Sequence, residues 1–248
     1  MQRVIVDSVQ IEADRLALTD AQRHYLRRVL RLKAGDRFWA LDGHGQMWEA
    51  TLQAGGETAS LRATIPVADS QLSSKPKITL AACLPKQGFD EVVRQVTELG
   101  VDEIVPILSE RTLLKPSAHK LERWRRIVIE AGEQSERFAV PIIREPLVWA
   151  SWLTRQSQDF RLICVARQPA PSLLSLCLSS QFSAIEVAIG PEGGWTEKEV
   201  TNAIVHGYQP VTLGSSILRA VTAPVVALGL LQAGIEFVTI NQSTDAPL

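Results

Sequence analysis

The 248 residues carry 26 lysines and arginines against 27 aspartates and glutamates, so the net charge of −1 supplies no global pull toward nucleic acid. With 46% apolar and 21% charged residues, the chain has the balance of a globular protein of one large or two smaller domains. Three dispersed cysteines (Cys83, Cys164, Cys177) suit a reducing cytoplasm, and the four histidines make no metal-ligand spacing with them, which argues against a disulfide framework and a metal site. No signal-peptide core follows Met1, and no apolar run is judged long enough and free enough of charge to span a bilayer.

Residues 1–70 read as β-rich, with one basic helix. Val4–Val6 suggests a strand, and Asp20 is the expected cap of a helix through Tyr25, Leu26, Val29 and Leu30. Such a helix buries its leucines and leaves Arg23, Arg27 and Arg31 at four-residue spacing on one outer face. Between residues 23 and 37 the only acid is Asp36, against Arg23, Arg27, Arg28, Arg31, Lys33 and Arg37. That block fits either an electrostatic footprint for phosphates or a solvated helix face. Asp42-Gly43-His44-Gly45 between two apolar runs signals a hairpin, and Gly55-Gly56 another return, so the expectation is a small barrel. The polar stretch from Pro66 to Pro76 reads as the boundary, giving a barrel over 1–70, a linker over 71–76 and a second domain over 77–248.

Beyond Lys77 the rhythm changes to strands alternating with helices, the mark of a parallel sheet covered on both faces. Strands are expected at Ile78–Leu84, Ile104–Leu108, Leu162–Ala166, Ile185–Ile189 and Val211–Leu213. Helices are expected around Phe89–Leu99, Lys120–Ser135, Trp149–Trp152, Leu173–Leu178 and from Thr196 to His206. A last helix starts near Thr222 with Pro224 in its first turn, and its apolar residues on most sides predict burial.

Two loops stand out. After the strand ending at Ile189, Gly190-Pro191-Glu192-Gly193-Gly194-Trp195 forms a glycine-rich turn, and Thr196 with Glu199 has the spacing of a capping box. A strand, a tight turn and a helix N-terminus expose unpaired amides to a ligand. The dinucleotide and P-loop phosphate signatures are both absent, and Glu192 disfavours a phosphate, so a neutral or cationic ligand fits better. Leu213-Gly214-Ser215-Ser216-Ile217-Leu218-Arg219-Ala220-Val221-Thr222 repeats the design, and ligands of open α/β sheets bind where such loops part. Arg219 is the single charge in that stretch; pairing with Glu192 and a catalytic role both remain open.

These motifs together resemble the ribosomal RNA small subunit methyltransferase E family. The likeness is carried by Ile189–Gly194, Leu213-Gly214, Ile217-Leu218-Arg219, Thr222-Ala223 and Glu98-Leu99-Gly100-Val101. Ser109-Glu110-Arg111, Glu133-Gln134-Ser135 with Arg137, Val140-Pro141 and Arg27–Arg31 extend it almost end to end. The resemblance implies a PUA-like β-barrel followed by a SPOUT α/β domain whose parallel sheet ends in a trefoil knot, an arrangement general topology rules would not supply. It also implies S-adenosylmethionine as cofactor, a homodimer, and methylation of uridine N3 in 16S ribosomal RNA of the small ribosomal subunit.

On that resemblance the cofactor would lie against Gly190, Pro191, Glu192, Gly193, Leu213, Gly214, Ile217, Leu218, Thr222 and Ala223. Arg219 would stabilise the uracil oxygen, with Glu192 or a water taking the proton. Arg23, Arg27, Arg28, Arg31, Lys33 and Arg137 would grip RNA. The chain departs from the family pattern at Ser215-Ser216, Ala220-Val221, Gln95 and Glu136, the last two where lysine and glycine are commoner. Two rivals follow: a related RNA methyltransferase acting on another base or a ribose, and an RNA-binding assembly protein with reduced catalysis.

Overall fold

The computed structural model describes residues 2–63, 75–155, 160–180 and 182–244. The chain divides into two units: Met1–Ser74 with Gly132–Val140, and Lys75–Ala131 with Pro141–Leu248. The expected linker over 71–76 falls mostly outside the described residues.

In the first unit the strands are β1 (Arg3–Ile5), β2 (Ile11–Glu12), β3 (Arg15–Ala17), β4 (Arg37–Leu41), β5 (Met47–Leu52) and β6 (Thr58–Ala63). They form one curled sheet in the order β1-β4-β5-β6-β3-β2, antiparallel except for β1 against β4. Alternate side chains (Val4, Leu16, Phe38, Ala40, Ala50, Leu52, Leu61) point inward to make its core, as period-two strands require. The β4–β5 turn is held by Asp42, whose carboxylate accepts from the amides of His44 (2.8 Å) and Gln46 (3.0 Å). Residues 132–140 join this unit through hydrogen bonds from the Ile5 amide to Glu133 (2.7 Å) and from the Val140 amide to Gly43 (3.0 Å).

The basic helix departs from expectation. Helix α1 covers Asp20–His24, and Thr19, not Asp20, is its cap: Thr19 Oγ1 accepts from the Gln22 amide while Gln22 answers to the Thr19 amide. The chain then continues as a π-turn over Tyr25–Val29, and Arg31 takes a left-handed φ of 59°. The wider turn breaks the four-residue phase that would have aligned Arg31 with Arg23 and Arg27.

In the second unit β7 (Lys77–Cys83), β8 (Glu103–Leu108), β9 (Ile142–Ile143), β10 (Leu147–Val148), β11 (Phe160–Cys164), β12 (Ala184–Ile189) and β13 (Gln209–Val211) form a parallel sheet. Its order is β10-β8-β7-β12-β11-β13, with β9 also on β8. Helices α2 (Phe89–Glu98), α3 (Ala118–Gln134), α4 (Trp149–Leu153), α5 (Leu173–Ser179), α6 (Glu197–Val205) and α7 (Ala223–Thr244) connect or follow the strands. One core cluster joins Ala81, Val105, Ile107, Ile163 and Ala188 on the sheet to Trp149, Trp152, Val200 and Tyr208. The apolar run expected at β12 hides a charge: Glu186 is fully buried, bonded to Trp152 Nε1 (2.6 Å) and the Tyr208 hydroxyl and paired with Arg155. Burial raises its pKa, and those donors and the arginines oppose the rise.

Helix α7 corrects two expectations. Ala223–Ile240 is, by length and composition, apolar enough to cross a membrane, because Glu236 is the one charge in it. It is also only partly covered within one chain. Ala227, Leu228, Leu231 and Ile235 are buried, whereas Val225, Val226 and Leu230 are half-buried and Phe237 and Ile240 are 56% and 65% exposed. Where α7 crosses α5, Gly234 lies so close that a Cβ there would stand 2.6 Å from Cys177 Cβ.

Candidate active site

The glycine-rich turn is built as its residues dictate. Gly194 takes φ +69° and donates its amide to the Pro191 carbonyl (2.8 Å), a conformation that favours glycine. The capping box that starts α6 is complete: Thr196 Oγ1 accepts from the Glu199 amide (3.2 Å) and Glu199 accepts from the Thr196 amide (2.8 Å). Glu199, 5% exposed, reaches further and accepts from the Glu110 amide (2.9 Å). It thereby ties the turn after β8 to the base of the glycine loop. That turn closes on itself through the Ser109 amide to Thr112 Oγ1 (3.0 Å), and Arg111 Nη1 donates to the Gly193 carbonyl (2.6 Å). On its other side the loop is held by Glu192, which accepts from the Lys86 amide after β7 (2.7 Å).

These loops enclose a cavity of about 330 Å³ at the carboxyl end of the sheet, where open α/β sheets bind ligands. Gly190, Pro191, Glu192, Gly193, Leu213, Gly214, Ile217, Leu218 and Ala223 all line it. Thr222 lies outside the wall, and so does the exposed Arg219, although its neighbours Leu218 and Ala220 belong to it. The Arg219 carbonyl accepts from the amides of Thr222 and Ala223 (both 2.9 Å) at the start of α7, and its side chain makes no ion pair with Glu192 among the described residues.

Sequence reasoning treated the loops after β12 and β13 as neighbours, but β11 lies between those strands. Its exit segment Cys164–Gln168 therefore forms a wall that went unread, as do Arg111, Trp195 and Glu197. Trp195 packs its five-membered ring over Gly190, where a Cβ would meet Nε1 at 3.1 Å. Desolvation pushes the thiol of Cys164, half-buried in this wall, up to about 12.

In the first unit Arg23, Arg27 and Arg28 share a surface cleft with Asp20, His24 and Gly55. Arg23 pairs with Asp20 and, at 3.5 Å, with Glu57, while Arg27 donates to the Gly55 carbonyl (3.1 Å). Arg31 and Lys33 are exposed outside that cleft, and Arg137 is half-buried with Nε on the Ala139 carbonyl (3.0 Å).

Comparison with known proteins decides the family. Residues 73–232 match an RNA methyltransferase domain and residues 18–62 an RNA methyltransferase PUA domain. The ribosomal RNA small subunit methyltransferase E of Synechocystis sp. is 48% identical over 241 residues, covering 94% of this chain and 78% of the relative. The chain belongs to the ribosomal RNA small subunit methyltransferase E family. Its Bacillus subtilis member is 30% identical, covering 98% of this chain and 100% of its own. The Neisseria gonorrhoeae member, solved bound to S-adenosyl methionine, superposes with a TM-score of 0.80 at 30% identity, covering 94% and 97% of the two chains. A Legionella pneumophila methyltransferase, solved with the cofactor SAM, does so at 0.80 and 26% identity, covering 93% and 96%. As a member of this methyltransferase E family, the chain has the PUA-like sheet and the parallel-sheet catalytic domain that the resemblance implied.

Proposed function

We propose that this methyltransferase transfers a methyl group from S-adenosylmethionine to N3 of a uridine in 16S ribosomal RNA of the small subunit, in the cytoplasm. The observation that carries the reading is the cavity at the sheet's carboxyl end, where the glycine turn of β12 and the loop of β13 face one ligand-sized space.

The residues present fit that cofactor. Glu192 and Glu197 line the wall beside the glycine turn, carboxylates that suit a cationic sulfonium, with Arg111 and Arg167 also in the wall. Trp195 Nε1 is buried without a partner among the described residues, a donor that a ligand or water acceptor would satisfy. When bound, the cofactor supplies an electrophilic methyl on a positively charged sulfur. The backbone of the two loops orients it; such alignment is worth up to ~7–11 kcal/mol of barrier. Glu192 uses Oε1 on the Lys86 amide, which leaves Oε2 to take the N3 proton as the new bond forms. A positioned base contributes roughly 10²–10⁴-fold. Arg219 stabilises the uracil oxygen as negative charge develops. Arg23, Arg27, Arg28, Arg31, Lys33 and Arg137 hold RNA, with the cleft of the first three as the firmest grip.

The reading includes a trefoil knot around the cavity and a homodimer whose partner covers the α7 face bearing Phe237 and Ile240. Calorimetry with S-adenosylmethionine is the direct test. Saturable binding is expected, and no heat would favour a binding protein that has lost catalysis. Arg219→Ala should lower kcat on small-subunit particles by at least tenfold while cofactor affinity holds; near-normal turnover would remove Arg219 from the mechanism.

A further inference from the structure

Two cations in the cavity wall have no part in the chemistry above. Arg111 comes from the turn after β8 and Arg167 from the segment after β11, and β7 and β12 separate those strands in the sheet. The pair therefore stands on opposite flanks of the glycine loop that leaves β12. Both side chains are exposed, and neither makes an ion pair with a carboxylate among the described residues. Arg111 is also pre-positioned. Its Nη1 donates to the Gly193 carbonyl, its aliphatic stem covers Gly193, and Glu199 fixes the neighbouring Glu110 amide. One guanidinium N–H is committed, and the remaining donors of the fork are available to an anion.

Size decides what that anion belongs to. A cavity of about 330 Å³ lies at the small end of the range for a single ligand. On the proposed reading the methyl donor fills it, so the target nucleotide is met at the mouth. Uracil N3 lies on the edge used for base pairing, so the base must be unpaired and turned out of any stack to meet the methyl. Turning one base inward draws the phosphates on its two sides to the rim.

We propose, resting on the RNA methyltransferase reading, that Arg111 and Arg167 are positioning residues that bind the backbone phosphates flanking the target nucleotide. They straddle the glycine loop and hold the strand across it. Phosphate contacts fix register without reading sequence, which suits two arginines brought together only by the fold.

The test measures binding of small-subunit particles or 16S RNA to wild type, Arg111→Gln, Arg167→Gln and the double variant across a salt series, with cofactor affinity measured in parallel. Each substitution should weaken RNA binding several-fold and reduce the log–log salt slope by about 0.7–0.9. The double variant should lose about twice that, with RNA affinity falling by a larger factor than cofactor affinity. Arg111→Lys, which keeps the charge, should restore most of the slope. Thermal unfolding identifies any variant that has lost the fold, and Arg167→Gln, on an exposed loop side chain, keeps the test open if Arg111→Gln misfolds. Slopes equal to wild type would overturn the proposal, as would a cofactor affinity reduced tenfold with RNA binding unchanged, which would assign the arginines to the donor's carboxylate. Since the slope is read on binding, a wild type that binds RNA but transfers no methyl would count against the proposed reaction and not against these two contacts.

Discussion

Replacing Glu199 by alanine tests how the site is assembled, because one buried carboxylate holds two loops. Its oxygens accept from the Thr196 amide (2.8 Å) and hydroxyl (3.2 Å) and from the Glu110 amide (2.9 Å). Losing the reciprocal half of the capping box costs about 1 kcal/mol. Leaving the Glu110 amide without its acceptor costs roughly 1–3 kcal/mol more. Glu199→Ala should therefore destabilise the catalytic unit by roughly 2–4 kcal/mol, which for a unit of this size lowers Tm by roughly 4–16 °C. Glu199→Gln should lose about half as much, since one acceptor oxygen survives while the new amide turns a donor toward a donor. Urea unfolding followed by near-ultraviolet circular dichroism, sensitive to Trp149, Trp152 and Trp195, gives the numbers. Cofactor affinity should fall in the same order, because the base of the glycine loop at Thr196 loses its acceptor. A Glu199→Ala protein within 0.5 kcal/mol of wild type would show that these bonds do not hold the loops.

Other substitutions separate packing from chemistry. Gly234→Ala forces a Cβ against Cys177 Cβ across two helices and should cost about 1–3 kcal/mol. Gly229→Ala, with nothing within 4 Å of the new atom, should be neutral or stabilise by up to about 1 kcal/mol, and paired Tm measurements distinguish the two. Glu192→Gln keeps an oxygen for the Lys86 amide yet cannot accept a proton, so kcat should fall about 10²-fold or more with the fold intact; a loss under threefold would mean that water takes the proton. Desolvation raises the Cys164 thiol to about 12, so little of it is thiolate at pH 8. Its alkylation should be slow at pH 8 and accelerate about tenfold per pH unit in the native protein, and rapid modification at pH 7 would show that the thiol is not raised.

Much of this was legible because the informative residues lie close together in the chain. Thr196 and Glu199 announced their capping box, and the apolar runs of β7, β8, β11 and β12 fell within a residue or two of their observed limits. What depends on sheet order was not legible. Nothing local to residues 164–168 says that β11 separates β12 from β13, so that part of the cavity wall was not legible. Glu186 was passed over inside an apolar strand, since its partners Trp152, Arg155 and Tyr208 are 22 to 34 residues away. The π-turn at Tyr25–Val29 broke a helical phase that side-chain spacing alone suggested. Glu136 takes φ +57°, the left-handed conformation glycine adopts without strain, and no residue pattern around it announces this.

The central claim is that the cavity between the loops of β12, β11 and β13 delivers a methyl group to the pairing edge of a uracil. Labelled S-adenosylmethionine incubated with small-subunit particles lacking the modification, followed by nuclease digestion and mass spectrometry, tests it most directly. The account predicts one labelled uridine per 16S RNA, methylated at N3 and formed about 10²-fold more slowly with Glu192→Gln. Label on a ribose, on another base or on protein, or none with a cofactor-binding wild type, would contradict it.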